Sequence, residues 1–231
     1  MQTMSTALGD RRRARLAAAR LYLVCGADGD GRGDLRAFLD AALRGGADVV
    51  QLREKDPAAS DDAILAAAHT FREACDAHRA LFVLNDRPDL AAAARADGVH
   101  VGQDDMPVAQ ARALVGDDVL LGRSTHTPQQ VDDAAVADVD YFAVGPIHAT
   151  PTKPGRSAVG LELVRHAASV PRSVPWFAIG GIDAANVGAV VAAGASRIVV
   201  VRALTEAADP EATARALREA LPREEVGAHA A

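Results

Sequence analysis

The stretch whose composition best suits ligand chemistry is GPIHATPTKPG, which runs from Gly145 to Gly155 directly after the apolar run 141–144. Its two glycines and three prolines predict an irregular backbone, Thr150 and Thr152 offer hydroxyl donors, and Lys153 adds a cation. These groups together favour binding of an anion with several charges. Taken alone, the stretch is more typical of a rigid surface turn with an exposed lysine.

Polar side chains that could join this stretch lie at and just beyond the end of an earlier apolar run, 48–52. Gln51, Arg53 and Lys55 occupy alternate positions there. Because side chains alternate along an extended segment, an amide, a guanidinium and an ammonium would face one side and could converge on one ligand. A solvated charged turn is the alternative for residues of this kind.

Acidic residues follow the next two apolar runs, where they could share a divalent cation. Asn85 and Asp86 end one run, and Asp104 and Asp105 follow the other. Mg2+ prefers carboxylate oxygens and keeps waters that a phosphate can displace, so Mg2+ is the predicted cofactor. Alternation allows only one of the two adjacent acids to point toward a ligand, and Asp86 could instead cap the following helix.

Later segments add a second set of groups suited to phosphate. Ser124 follows one apolar run, Gly181 ends a glycine pair after another, and Val201 and Arg202 follow the last. Backbone amides in such positions commonly bind phosphate, although a glycine pair also suits a tight turn. A single histidine such as His126 is more often structural than catalytic, and no proton-transfer role is assigned to it.

The elements that must position these residues alternate between strands and helices. Eight short, mostly β-branched runs bounded by Gly, Asp or Pro predict strands, and Ala-rich segments with helical spacing separate them. Eight such units without a linker predict an α/β fold of one domain, a closed (β/α)8 TIM barrel, which places everything after a strand on one face. The predicted strands are 21–25, 48–52, 81–84, 98–101, 119–122, 141–144, 176–179 and 197–201.

Composition is consistent with this fold. The chain has 231 residues, a usual length for one such barrel. Hydrophobic residues make up 49% and aromatic residues only 3%, so the core must be built from aliphatic side chains, as in parallel sheets wrapped by helices. We expect poorly ordered tails over residues 1–15 and 223–231, and the catalytic barrel over residues 16–222.

Charge and cysteine content limit the partners and the compartment. A net charge of −6 argues against nucleic acid or an anionic membrane as the main partner, so the expected partners are small phosphorylated molecules, with a homo-oligomer left open. The only cysteines are Cys25 and Cys75, which form no CxxC motif, and no apolar run is long enough to span a membrane. These features predict a cytoplasmic protein.

Seven motifs, in order and with matching spacing, resemble the thiamine phosphate synthase family. Each is weak alone, but seven in register are highly specific. They are QLREK from Gln51, NDRPDLA from Asn85, GVHVGQDD from Gly98, GRSTHT from Gly122, GPIHATPTK from Gly145, AIGGI from Ala178 and GASRIVVVRAL from Gly194.

The resemblance implies an Mg2+-dependent transferase of thiamine biosynthesis. Such an enzyme joins 4-amino-2-methyl-5-hydroxymethylpyrimidine diphosphate to 4-methyl-5-(2-hydroxyethyl)thiazole phosphate, giving thiamine phosphate and pyrophosphate. It further implies that Asp86 and Asp105 bind Mg2+ and that Arg53, Lys153 and Ser124 act in catalysis. The implied pyrimidine diphosphate site comprises Gln51, Arg53, Lys55, Asn85, Ser124 and Lys153, and the implied thiazole phosphate site comprises Thr150, Thr152, Gly181, Val201 and Arg202.

This chemistry needs no side-chain nucleophile. Loss of pyrophosphate leaves a pyrimidinylmethyl cation, which the thiazole nitrogen attacks, so the protein supplies charge neutralisation and alignment. Two alternatives remain open from the residues. One is a thiazole tautomerase-like barrel, which would have little use for the pyrimidine diphosphate residues, and the other is a non-catalytic barrel that binds a phosphorylated metabolite.

Overall fold

The computed structural model describes residues 6–150 and 157–222, which form a closed barrel of eight parallel strands. Each strand pairs with the next along the chain, and β8 pairs with β1 to close the barrel, for example through Tyr22 opposite Val199. The strands are β1 (Leu21–Cys25), β2 (Val49–Leu52), β3 (Leu81–Asn85), β4 (Gly98–Val101), β5 (Leu120–Thr125), β6 (Tyr141–Val144), β7 (Trp176–Ile179) and β8 (Ile198–Val200).

Helices follow the strands and cover the outside of the barrel. Their bounds are α1 (Ala7–Ala18), α2 (Leu35–Arg44), α3 (Asp61–His78), α4 (Val108–Val115), α5 (Pro128–Val136), α6 (Gly160–Ser169), α7 (Val187–Ala192), α8 (Arg202–Thr205) and α9 (Pro210–Ala220). Between β3 and β4 the chain makes only a 3-10 turn, Pro88–Leu90. Within the described ranges, no helix has the length and apolar character needed to cross a membrane.

The prediction of a single-domain (β/α)8 barrel is confirmed, and all eight strands lie close to their expected positions. Their short apolar runs are buried on both faces, as a parallel sheet wrapped by helices requires. β5 continues to Thr125, past its expected end at Gly122. This extension brings Ser124 into the strand itself, and alternation then directs its side chain to the barrel interior.

Large aromatic side chains fill the barrel interior. Tyr22, Tyr141 and Phe177 pack together, with ring centroids 5.5 to 6.0 Å apart. Gly122 makes room for this cluster, because a Cβ at that position would overlap the ring of Tyr141. Although only 3% of the chain is aromatic, these three aromatic residues lie together inside the barrel.

Helix α1 closes the end of the barrel where the strands begin. Residues 7–15 were expected to belong to a poorly ordered tail, and that expectation is wrong, because they form most of this helix. Leu16 is buried against the interior cluster, while Arg12 and Arg13 pair with Asp97 and Asp140 at 2.9 and 2.6 Å. The predicted tail segments 1–5 and 223–231 lie outside the described residues.

Candidate active site

A cavity of about 240 Å³ opens where the strands end, at the opposite end of the barrel from α1. This volume suits a small ring system with its substituents rather than a macromolecule. Eight of the site residues predicted from the sequence line it: Gln51, Arg53, Asn85, Ser124, Thr150, Gly181, Val201 and Arg202. The strands and the loops that follow them therefore bring together residues from Gln51 to Arg202, which lie far apart in the chain.

Gln51 and Ser124 form part of the cavity floor. Both are buried, with 4% and 7% of their surface exposed. The Gln51 amide nitrogen donates a hydrogen bond to the Tyr22 hydroxyl at 2.6 Å, and the Ser124 hydroxyl lies 2.9 Å from Nε2 of His100. These bonds hold two short polar side chains in fixed orientations at the base of the site.

Arg53 brings an incompletely satisfied cation to the cavity wall. Its backbone nitrogen donates to the carbonyl oxygen of Cys25 at 2.9 Å, which anchors the residue just beyond β2. Its guanidinium nitrogen Nη1 is buried and has no hydrogen-bond partner among the described residues. Leaving a buried donor unsatisfied is costly, and because Arg53 lines the cavity, this nitrogen is suited to an anionic ligand.

Lys55 is not part of the cavity lining. Its ammonium lies 3.6 Å from a carboxylate oxygen of Asp30, in the loop that follows β1. Both side chains are partly exposed, so water screens the pair and it adds little to stability. The sequence alternation correctly grouped Gln51 with Arg53, but the backbone leaves β2 after Leu52 and no longer directs Lys55 inward.

Asp86 and Asp105 follow the neighbouring strands β3 and β4; both are exposed, and neither is among the residues that line the cavity. The Asp86 nitrogen donates to the carbonyl oxygen of His100 at 2.8 Å, and Asp86 has a positive φ of 58°, which Asp tolerates better than most residues. One carboxylate oxygen of Asp105 accepts from the Gly102 nitrogen at 2.8 Å. Asn85 donates from its amide to Asp86.

These two carboxylates fit a magnesium ion that shares its ligands with a substrate. In the described ranges, no group of three or more His, Cys, Asp and Glu side chains is arranged to hold a metal. Magnesium sites that act on phosphates typically use one or two carboxylates, with water and phosphate oxygens as the other ligands. The donor set of Asp86 and Asp105 has this character.

Two backbone segments that follow β7 and β8 also line the cavity. Gly181, with φ of 62°, follows β7, and Val201 leads into the short helix α8. The neighbouring Gly180 must be glycine, because a Cβ there would overlap Pro146. This close approach brings the loop after β6 against the end of β7, where the nitrogens of Ile147 and His148 donate to the carbonyl oxygens of Ile179 and Gly180 at 2.8 and 3.0 Å.

The loop after β6 is only partly described. Thr150 lines the cavity, whereas the predicted site residues Thr152 and Lys153 lie outside the described residues. The base of the loop is closed by hydrogen bonds from the nitrogens of Val159 and Gly160 to the carbonyl oxygens of Pro146 and Ile147, at 2.8 and 3.1 Å. Both ends of the loop are therefore attached at the cavity mouth.

Several cavity residues were missed by reasoning from the sequence. Tyr22, His100 and Glu206 line the cavity, as does His126, whose Nδ1 lies 2.5 Å from the carbonyl oxygen of Gly145. A usable signal existed for Tyr22, because a tyrosine inside a buried apolar strand must find a partner for its hydroxyl. Burial raises the pKa of Tyr22 well above its usual range, so the hydroxyl stays neutral.

Eight parallel strands, a cavity at their carboxyl ends and lining residues suited to anions are the features of a (β/α)8-barrel enzyme of the kind that acts on phosphorylated small molecules. Residues 21–204 match the family model described as thiamine monophosphate synthase. This match covers most of the chain, which therefore belongs to that family, and the family carries out a transferase reaction of thiamine biosynthesis.

Individual relatives agree with the family. The chain is 56% identical over 211 residues to thiamine-phosphate synthase of Saccharopolyspora erythraea, covering 89% of this chain and 94% of that protein. It is 54% identical over 213 residues to the same enzyme of Thermobifida fusca, covering 90% and 95%. The solved structure of thiamine phosphate pyrophosphorylase from Pyrococcus furiosus superposes with a TM-score of 0.77 at 29% identity, covering 90% of this chain and 96% of that one.

Proposed function

We propose that this chain joins 4-amino-2-methyl-5-hydroxymethylpyrimidine diphosphate to 4-methyl-5-(2-hydroxyethyl)thiazole phosphate, releasing pyrophosphate and forming thiamine phosphate. The observation that carries the proposal is the buried guanidinium nitrogen of Arg53, which has no hydrogen-bond partner in the described ranges and borders the same cavity as the amides of Gly181 and Val201. Two anion-binding regions on one cavity suit a reaction that joins two phosphorylated substrates.

The proposed reaction breaks one bond and forms another at the same carbon. The methylene C–O bond breaks with its electron pair leaving on pyrophosphate, and the resulting cation is stabilised by the electron-rich aminopyrimidine ring. The lone pair of the thiazole nitrogen then forms the C–N bond. Because no proton must be removed by a side chain, proximity and electrostatic stabilisation are the main contributions of the protein.

The residues proposed for the pyrimidine diphosphate site form two sets, one for the pyrimidine ring and one for the diphosphate. Gln51 and Ser124, on the cavity floor, would hold the pyrimidine ring, and Arg53 would neutralise charge on the departing diphosphate. Asn85 lies between these groups, near Asp86. Lys55 and Lys153 are proposed to add their charges to the diphosphate, a role supported by the family resemblance of their motifs.

Asp86 and Asp105 are the residues proposed to hold Mg2+. When bound, Mg2+ would neutralise charge on the diphosphate and so make it a better leaving group. The link to the cavity is Asn85, which lines it and donates a hydrogen bond to Asp86.

The second substrate would occupy the opposite side of the cavity. The amides of Gly181, Val201 and Arg202 would hold the thiazole phosphate, with Thr150 and Thr152 orienting the ring. The Arg202 guanidinium lies 3.8 Å from Glu206, and both are largely exposed. We propose that Arg202 contributes mainly through its backbone and adds a screened charge through its side chain.

A cytoplasmic location and the expected partners remain predictions. Cys25 and Cys75 are both buried free thiols, so neither requires an oxidising compartment. Burial raises the pKa of Cys75 to about 12, which keeps its thiol protonated. Phosphorylated small molecules are the proposed ligands, while nucleic acid and membranes are not expected because of the net charge of −6. A homo-oligomer stays open.

The test is to incubate the purified protein with both substrates and Mg2+ and to identify the products. Thiamine phosphate and pyrophosphate should form, and a chelator should abolish both. Isomerised thiazole phosphate without coupling would support the tautomerase alternative, and binding without any conversion would support the non-catalytic one. Either result would overturn the proposal, and undiminished turnover in excess chelator would remove the metal from it.

A further inference from the structure

The segment that follows β7 has a backbone whose own sequence leaves it free to change orientation. Gly180 and Gly181 are adjacent, with φ of 106° and 62°. Because glycine has no Cβ, it occupies positive and negative φ almost equally well, and a peptide unit beside a glycine turns over at little conformational cost. Gly180, Gly181 and Ile182 all line the cavity. The direction of their peptide units therefore decides whether amide hydrogens or carbonyl oxygens meet a ligand.

Contacts outside the cavity hold both carbonyl oxygens of the glycine pair. The Gly180 oxygen accepts a hydrogen bond from the His148 nitrogen at 3.0 Å. The Gly181 oxygen accepts one from the side-chain nitrogen Nδ2 of Asn186 at 2.7 Å. Neither His148 nor Asn186 is among the described residues that line the cavity. Both carbonyl oxygens are therefore directed away from the space that a ligand would occupy.

The amides of the same two peptide units point the other way. Both units are trans, and in a trans peptide the C=O and N–H bonds point in opposite directions. The nitrogens of Gly181 and Ile182 therefore face the cavity. Neither donates a hydrogen bond to an acceptor in the part of the chain that the structure describes. Two neighbouring N–H groups of this kind suit the oxygens of an anion.

The side-chain amide of Asn186 has only one orientation that satisfies its neighbours. Its Oδ1 accepts from the Asp183 nitrogen at 3.0 Å, while its Nδ2 donates to Gly181. A backbone N–H only donates and a carbonyl oxygen only accepts, so these two partners fix the amide. Asp183 in turn accepts through Oδ1 from the nitrogens of Ala185 and Asn186, at 2.9 and 3.2 Å. The turn before α7 is thus closed on itself and gives the Asn186 side chain a fixed base.

We propose that Asn186 is a positioning residue for the second substrate. It holds the Gly181 carbonyl out of the cavity and so presents the Ile182 amide, beside the Gly181 amide, to the phosphate of the thiazole substrate. The inference deepens the proposed function, on which it rests, and adds Ile182 to the amides that bind this phosphate. Asn186 itself does not touch the substrate.

Loss of the Asn186 bond has a definite consequence for the phosphate. The peptide unit between Gly181 and Ile182 is then free to turn over, because glycine imposes no barrier of its own. A turned unit would remove one N–H donor and place the partial negative charge of a carbonyl oxygen beside the phosphate. Both changes weaken phosphate binding and leave the pyrimidine diphosphate site as it is.

Two substitutions of Asn186 test this role. Asn186→Asp keeps the oxygen that accepts from Asp183 and removes the donor to Gly181, whereas Asn186→Ala removes both without adding charge. We expect the KM for thiazole phosphate to rise about tenfold or more in each, as for loss of one hydrogen bond to a charged group. The KM for the pyrimidine diphosphate should stay within about twofold of the wild type, a split between substrates that general loss of folding would not produce.

Ala185→Asp is the matched control. Ala185 is exposed in the same turn, so this variant adds the charge of Asn186→Asp but leaves the Asn186 donor in place. Its KM for thiazole phosphate should stay within about threefold of the wild type. An unchanged KM in Asn186→Ala, or an increase in Ala185→Asp as large as that in Asn186→Asp, would overturn the proposal.

A measurement on the wild type separates this inference from the proposed function. Titration of the 15N-labelled protein with thiazole phosphate alone involves no turnover. The amide proton resonances of Gly181 and Ile182 should both move downfield, because each amide gains a hydrogen bond to a charged oxygen. An Ile182 resonance that does not move would overturn the inference, even in a protein that forms thiamine phosphate. Downfield shifts of both amides in a protein that forms no thiamine phosphate would support the inference and contradict the proposed reaction.

Discussion

Among single residues, Arg53 combines a buried, unpaired nitrogen with a place in the cavity wall. Its Nη1 has no hydrogen-bond partner in the described part of the chain. Arg72 on an outer helix also has such a nitrogen, Nε, but its Nη1 pairs with Asp97 at 2.7 Å. Arg36 forms an ion pair with Asp40 at 2.9 Å on the surface of α2. A buried donor that lacks a partner is retained at a cost in stability, which is typical of functional sites.

Replacing Arg53 with Gln should therefore lower activity without weakening the fold. We expect kcat/KM for the pyrimidine diphosphate to fall by about 10²-fold or more, since one group that stabilises the leaving charge is removed. Steady-state kinetics measures this effect, with Arg36→Gln as the control that should stay close to the wild type. A decrease of less than threefold in Arg53→Gln would remove Arg53 from the diphosphate site.

At the scale of elements, three aspartates tie neighbouring strands and helices together at the end of the barrel opposite the cavity. Each lies directly before an even-numbered strand, accepts from a backbone nitrogen of the preceding strand and pairs with an arginine of an outer helix. The three sets are Asp48 with Leu21 and Arg218, Asp97 with Phe82 and Arg72, and Asp140 with Leu121 and Arg112. This repeat stabilises the barrel away from the chemistry.

Asp97 should contribute stability that depends on pH. Burial alone would raise its pKa, but hydrogen bonds from Arg72 and the Phe82 nitrogen outweigh that effect and lower it. A carboxylate with a lowered folded-state pKa stabilises the fold above its unfolded pKa and loses this contribution as the pH falls through the folded-state value. The contribution is therefore complete at neutral pH and declines below about pH 4.

Asp97→Asn should lower the free energy of unfolding by about 2–4 kcal/mol at pH 7, because Arg72 and Arg12 lose a largely buried partner. Denaturant unfolding should show this difference shrinking below about pH 4. Asp76→Asn is the control, since Asp76 pairs with the same Arg72 but is 55% exposed, and its removal should cost less than about 1 kcal/mol. Equal losses in the two variants would contradict this account of Asp97.

Helix α1 is the element that was not predicted from the sequence. Residues 1–15 were expected to be a poorly ordered tail, and the partners that fix this helix lie far away in the chain: Asp97 is 85 residues from Arg12, and Asp140 is 127 residues from Arg13. Thr6 caps the helix by accepting from the Leu8 nitrogen, and its hydroxyl also bonds Asp118 at 2.6 Å. Only the closed barrel brings these partners together.

The apolar contact of α1 can be measured directly. Leu16 is 1% exposed at the closed end of the barrel, so Leu16→Ala should cost about 2–4 kcal/mol of unfolding free energy. Leu8→Ala on the same helix is the control, because Leu8 is 42% exposed and its change should cost less than about 0.5 kcal/mol. If both variants unfold at the wild-type denaturant midpoint, α1 does not stabilise the barrel.

For the whole molecule, the sequence predicted the barrel and most of the cavity because both depend on local patterns. Short β-branched runs specify the strands, and in a parallel barrel every residue that directly follows a strand lies on one face. Placement of Lys55 could not be predicted in this way, because strand alternation ends with β2 at Leu52 and the Lys55 ammonium lies near Asp30 in a different loop. The hydrogen bond between the Tyr22 and Tyr141 hydroxyls was equally hidden, because these residues are 119 positions apart.

The central claim is that one cavity holds two phosphorylated substrates and joins them. The most direct test is to measure pyrophosphate and thiamine phosphate together in one reaction, with each substrate present alone and then both. The account predicts one pyrophosphate for each thiamine phosphate, and little of either when one substrate is missing. Rapid pyrophosphate release without thiazole phosphate, or thiazole phosphate left uncoupled in the complete mixture, would contradict it.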